Sequence, residues 1–173
     1  MVPELRPLLA GLSRADSLTL DPHKGLFLPY GTGALLVRDG EKLRALHSSE
    51  AGYLPDIQSE FYDPAQYGPD LSRGFPGLRV WLTLKLFGTA RYRAALAEKR
   101  ALAVWAADEV AKIPGVVMDA LPQLSLFAFH LESPRLDTLE AQNAATRALM
   151  ARVTARGRVM VTGAQVGEHY LGR

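Results

Sequence analysis

The chain has 173 residues, is 48% hydrophobic and 22% charged, and carries a formal net charge of +2, the balance of a soluble globular protein rather than a disordered one. No basic stripe with interleaved aromatics marks a nucleic-acid surface, and the absence of cysteine removes disulfides, thiolate nucleophiles and zinc-thiolate sites together. Apolar runs break well short of the roughly 18 to 20 residues a membrane span needs, and Pro3, Glu4 and Arg6 interrupt any signal-peptide core, so the expectation is a cytoplasmic chain with neither nucleic acid nor membrane as partner.

Residues Pro3 to Leu12 carry Leu5, Leu8, Leu9 and Leu12 at helical spacing, with Pro3 suited to a first turn and Gly11 to an end. Ser17 to Leu20 reads as a strand that Asp21-Pro22 closes, because proline cannot donate to a ladder. Leu26 to Val37 reads as a strand, a turn over Pro29 to Gly33, and a second strand Ala34 to Val37 that stops at Arg38-Asp39-Gly40. This pattern predicts that Lys24 is held between extended segments. Glu41 to Leu46 reads as a short helical piece. From His47 to Leu71 no apolar period is sustained, and a stretch of that length reads as a functional loop or lid that contains Tyr53, Tyr62 and Tyr67.

Helical signals resume at Pro76-Gly77, where Leu78, Trp81, Leu82 and Leu86 follow one face up to Gly88. A longer helix is predicted from about Thr89 to Lys112, stopped by Pro114-Gly115. A small α+β pattern follows. Val116 to Met118 and Leu124 to Leu131 read as strands, and Asp137 with Glu140 resembles a capping box. The helix they open ends at Gly157, and Val159 to Val161 begins another strand. A β-β-α-β unit ending there is expected to be unfinished, since so short a sheet has little core.

The one chemically pointed stretch is Asp21-Pro22-His23-Lys24-Gly25. A positioned, partly neutral lysine amine attacks a carbonyl to give a Schiff base, and His23 beside it can stack or shuttle a proton. Glycines at 25, 31 and 33 would let backbone come close to a bound group. The alternative is a surface lysine at a hairpin-like corner. A nucleotide loop is excluded, because no Gly-Lys-Ser/Thr follows and no helix opens at Gly33. His47, His130 and His169 form no pair with metal-ligand spacing.

Ala15-Asp16-Ser17 followed by Asp21-Pro22-His23-Lys24 resembles the cofactor-lysine segment of the pyridoxal-phosphate-dependent group II decarboxylases, which include the aromatic amino acid, histidine and glutamate decarboxylases. Leu71-Ser72-Arg73 with Leu78-Arg79-Val80-Trp81 is similar to that family's Ser/Gly-Arg-Arg…Leu-Lys-x-Trp segment. The resemblance extends over nearly the whole chain. It implies that Lys24 is the Schiff-base lysine, that His23 is the histidine before it, and that Asp21 falls where relatives hold Asn or Asp near the cofactor phosphate. Tyr53, in Gly52-Tyr53-Leu54, matches the mobile-loop tyrosine that protonates the carbanion in the animal aromatic enzymes, the alternative being an ordinary lid aromatic. Two positions depart from the pattern: Gly74 replaces the second arginine of the pair, and Gly25 stands where many relatives carry tryptophan. Both leave the substrate open.

The implied fold is α/β, the C-terminal part of a fold type I, PLP-dependent transferase-like protein. Residues 1–88 would be the end of the large cofactor domain with a mobile loop at about 47–71, and residues 89–173 a connecting helix with a truncated small α+β domain. The implied activity is decarboxylation of an L-amino acid to an amine and carbon dioxide with pyridoxal 5′-phosphate, in a homodimer. The ring-stacking histidine, the aspartate that pairs with the pyridine nitrogen and the phosphate-binding small residues of the family belong to a half that precedes this segment. The chain is therefore expected to be a fragment that is inactive alone, binds the cofactor weakly at best, and exposes apolar edges. Alternatives are an aldehyde synthase or carbon-carbon lyase on the same scaffold, or a non-catalytic remnant acting as a dimerisation module.

Overall fold

The computed structural model describes residues 2–48 and 62–173. Their helices and strands divide into two units, Met1–Arg93 and Ala94–Arg173.

The apolar spacing near the start produces a helix, but a 3-10 helix running Pro3–Arg14 with Pro7 inside it. Proline has no N–H to give to the carbonyl four residues back, which disfavours α-helical bonding there. Leu5 is buried, while Leu8 and Leu12 remain exposed. The strand β1 (Ser17–Leu20) forms where predicted and pairs antiparallel with β2 (Ala34–Val37), Ser17 opposite Val37 and Leu20 opposite Ala34. Arg38 ties down the entry to β1: its Nε and Nη2 donate to the Ala15 carbonyl at 3.2 and 2.9 Å, and Nη2 also donates to the Ser13 carbonyl.

The expected strand beginning at Leu26 does not form. Asp21 instead leads into a one-turn helix, α1 (Pro22–Gly25), whose first position takes Pro22. Two residues beyond it Phe27 has φ +55°, a left-handed conformation that no strand contains. Lys24 therefore sits on a helical turn, not between extended segments. The short helix α2 (Gly40–His47) does form, with the Asp39 side chain accepting from the Lys42 amide at 3.3 Å. After the residues that are not described, a 3-10 turn Pro64–Tyr67 is tied to α2 by Arg44 Nε donating to Gln66 Oε1 at 2.6 Å.

Helix α3 (Gly77–Ala111) is two helices joined at Gly88, whose φ of +73° and ψ of 154° leave the helical region. The break falls where the sequence places it, at a residue without a Cβ penalty there.

The second unit holds β3 (Val116–Ala120), β4 (Ala128–Leu131), α4 (Leu139–Ala155), β5 (Gly163–Val166) and β6 (His169–Gly172). The four strands form one antiparallel sheet in the order β3-β4-β6-β5, and α4 packs against β4 and β6. Three expectations are corrected here. The strand β4 is half the predicted length, and Leu124 and Leu126, which would extend it, stay 62% and 52% exposed rather than joining a core. Residues 159–161 form no strand; the chain pairs further on, in a β5–β6 hairpin turned at Gly167 with φ +57°. The cap of α4 is Thr138, whose hydroxyl accepts from the Ala141 amide at 3.2 Å, rather than Asp137.

The unit's core consists of Ala103, Ala107, Ala128, Phe129, Met150 and Leu171. Thr146 is fully buried with both hydroxyl bonds made, accepting from the Leu131 amide at 3.0 Å and donating to the Gln142 carbonyl at 2.9 Å. Asn143 joins the hairpin to α4, accepting from the Tyr170 amide at 2.6 Å and donating to the Glu168 carbonyl at 2.8 Å.

Candidate active site

The candidate site is α1 and the loop that follows it. Pro22 is buried, and the Asp21 carbonyl accepts from the amides of Lys24 and Gly25 at 2.9 and 3.3 Å. The Pro22 carbonyl accepts from Leu26 at 3.0 Å and from Leu28 at 3.4 Å across the left-handed Phe27. That last pair closes the turn as a helix C-terminus is closed, though glycine is the usual residue in the left-handed position. The Phe27 ring stacks on Tyr92 with centroids 6.5 Å apart, which gives a bulky residue a reason to occupy it.

Lys24 leaves this turn with its side chain 70% exposed, and Nζ donates to Asp21 Oδ2 at 2.5 Å. That hydrogen bond is the main reason the Asp21 carboxyl titrates below its ordinary value; partial desolvation opposes it, and the charges of Lys24 and His23 add to it. Asp21 is thus a firmly ionised partner for the amine. His23 is half-buried, its Nδ1 lying 2.9 Å from the Thr32 carbonyl, and the ring of Tyr30 meets it edge-on with centroids 5.3 Å apart.

The structure therefore brings three of the predicted site residues, Asp21, His23 and Lys24, onto one turn. The fourth, Tyr53, lies outside the described residues. Arg73 donates to the Asp70 carbonyl within its own loop. Among the glycines, Gly31 has φ +82° and needs to be glycine for its backbone. A Cβ added at Gly25 or Gly33 would meet nothing within 4 Å, so the chain's own packing does not require glycine at either position.

Thr32 is the residue that sequence reasoning missed. It is 1% exposed, and its hydroxyl donates to the Pro29 carbonyl at 3.0 Å. The available signal was a threonine between two glycines, three residues after a proline, where a hydroxyl readily bonds backbone. Among the described residues no group of acidic or histidine side chains could hold a metal ion, and no helix is long and apolar enough to cross a membrane.

Pyridoxal phosphate, which the resemblance implies, can be tested against these groups. The chemistry of the set fits it: an accessible primary amine for the aldehyde, an imidazole on the adjacent residue of the same turn, and open space beside Gly25 and Gly33.

Comparison with known proteins gives the same direction. The pyridoxal-dependent decarboxylase conserved domain matches residues 1–132. An aromatic-L-amino-acid decarboxylase of Bacillus atrophaeus is 32% identical over 93% of this chain and 34% of its own length. An acidic amino acid decarboxylase of Homo sapiens is also 32% identical, over 78% of this chain and 27% of its own. The crystal structure of Oryza sativa TDC with PLP and tryptamine superposes with a TM-score of 0.89 at 26% identity, covering 98% of this chain and 36% of that one. The chain spans about a third of the length of the relatives it matches.

Proposed function

The chain belongs to the pyridoxal-dependent decarboxylase family, and from that premise we propose that it serves the decarboxylation of an L-amino acid to an amine and carbon dioxide, with Lys24 carrying pyridoxal 5′-phosphate. The observation that supports the assignment is the Lys24 amine itself, exposed at the end of a hydrogen-bonded turn with one carboxylate as its partner.

When bound, the cofactor supplies an electron-poor ring that accepts the electrons released by the departing carboxylate. The protein's part is attachment, orientation and control of protons. Lys24 provides the amine for covalent attachment. Asp21, with its carboxyl held below the ordinary range, stabilises the charged amine and is too weak a base to take its proton at neutral pH. Rotation of Lys24 away from Asp21 and loss of the ammonium proton therefore precede attack. Tyr53 is the group we assign to protonation of the α-carbon, and a lid around it would exclude water from that step. Residues 1–88 then form the cofactor end and residues 89–173 the connecting helix and small domain, in a homodimer.

The side chain of the substrate stays general. One relative at 32% identity is named for aromatic amino acids and another at the same identity for acidic ones. A panel of aromatic and acidic L-amino acids, offered with pyridoxal phosphate to the protein expressed from its full reading frame, tests the proposal. Amine and carbon dioxide in equal amounts are expected, and both are lost in Lys24→Ala. Ammonia and aldehyde in place of the amine would transfer the chain to the aldehyde-synthase reading.

A further inference from the structure

We propose that Thr32 is the positioning residue of this site: its backbone carbonyl fixes His23 in the tautomer with the proton on Nδ1, leaving Nε2 as the one ring nitrogen available to a ligand. A carbonyl oxygen can only accept. With Nδ1 2.9 Å from the Thr32 oxygen, the contact is a hydrogen bond only when Nδ1 carries the proton, and the neutral ring then has its lone pair on Nε2. The same oxygen also accepts from the His23 backbone amide at 3.3 Å. One acceptor thus holds both the main chain and the ring of one residue, and the ring's freedom to swing is lost.

What makes Thr32 a stable anchor is its own bonding. It is 1% exposed, and its hydroxyl donates to the Pro29 carbonyl at 3.0 Å. That bond spans a turn whose bend depends on Gly31 at φ +82°. Tyr30, within the turn, sets its ring edge-on to the imidazole at an interplanar angle of 68°. Rotating the imidazole by half a turn would put a carbon where Nδ1 stands and leave the Thr32 carbonyl with a C–H.

The consequence concerns the ligand. A neutral His23 offers a lone pair, which repels an anionic oxygen; only the doubly protonated ring offers a donor, through Nε2–H. That the ligand belongs to the cofactor rests on the function proposed above, but the tautomer does not.

The test is nitrogen-15 NMR of the imidazole groups of the chain at mildly alkaline pH, with His23→Gln identifying the His23 signals. Free histidine in water favours the Nε2–H form, so the expected spectrum shows the inverse, predominantly Nδ1–H. Thr32→Val, which keeps the size but removes the hydroxyl, is expected to shift His23 to a mixture of tautomers, and Thr32→Ser to restore the original form. A wild-type His23 in the Nε2–H form overturns the inference whatever the variants do. An unchanged tautomer in a folded Thr32→Val, which keeps the carbonyl and loses the bond to Pro29, would overturn the hydroxyl's part in anchoring that carbonyl. Neither result bears on whether Lys24 carries the cofactor, which covalent labelling reads separately.

Discussion

The two units of the chain are stabilised by different means. In the first, β1 and β2 make a two-stranded sheet whose Leu20, Leu35 and Leu36 stay 46%, 54% and 53% exposed. Such a pair buries too little apolar surface to hold itself. Its geometry is specified by polar ties: Arg38 to Ala15, His23 to Thr32, Thr32 to Pro29 and Lys24 to Asp21. The second unit lays a helix on a four-stranded sheet over a buried apolar centre, with Thr146 and Asn143 satisfying the backbone inside. Among the described residues, Asp21, His23 and Lys24 therefore sit where the local sheet buries little and hydrogen bonds count most, whereas the other unit is governed by packing.

That contrast can be broken by substitution, beginning with the largest expected effect. A Cβ at Gly172 would stand 2.8 Å from the Phe129 ring and 3.0 Å from Met150 Sδ. Gly172→Ala should therefore destabilise the second unit by about 1 to 3 kcal/mol, the usual cost of overpacking, read as a lowered denaturant midpoint. Thr146→Val should cost about 1 to 2 kcal/mol, because it takes from the Leu131 amide its buried hydroxyl acceptor, whereas the Gln142 carbonyl keeps its place in the helix ladder. Leu36→Thr, on the exposed face of the first unit, should stay within about 0.5 kcal/mol. If it proved as costly as Thr146→Val, the hairpin would have a hidden apolar partner and the contrast would fail.

The smallest effect is electrostatic and sharpens the contrast at the site. Asp21 is depressed by its bond from Lys24, so the pair contributes fully above the ordinary carboxylate range and is lost as pH falls through the lowered value. Carbon-13 titration should find Asp21 protonating at lower pH than an ordinary aspartate, and Lys24→Ala should return it to normal. A separate prediction concerns the reaction. Tyr53→Phe should lower amine output and raise aldehyde and ammonia, and unchanged amine output would take Tyr53 out of the mechanism.

Much of this was legible in the sequence. β1, β2, α2, the break of α3 at Gly88 and the stop at Pro114-Gly115 follow from period and punctuation. The motif around Lys24 gave the family, which the domain match over residues 1–132 bears out. The errors have physical causes. Asp21-Pro22 does end β1 as expected, but the expected second strand does not follow directly, because Asp-Pro also opens a helical turn. The left-handed Phe27 left no local trace, since its compensation is a ring contact with Tyr92, far along the chain. The last strand pairs beyond its expected start: Val159 and Met160, apolar enough for a strand, are 59% and 81% exposed, while the pairing falls on Gly163 and Gly172, where small size admits Tyr170 and Phe129. Apolar period could not reveal a position selected for having no side chain.

The central claim is that Lys24 carries the cofactor, and covalent labelling tests it most directly. The chain, saturated with pyridoxal 5′-phosphate, is reduced with borohydride, digested and mapped by mass spectrometry. The expected result is a pyridoxyl group concentrated on Lys24, even where overall occupancy is low, with Asp21→Asn altering the rate of labelling and not its position. Label spread evenly over Lys42, Lys85, Lys99 and Lys112 as well, or absent from Lys24, would contradict the account.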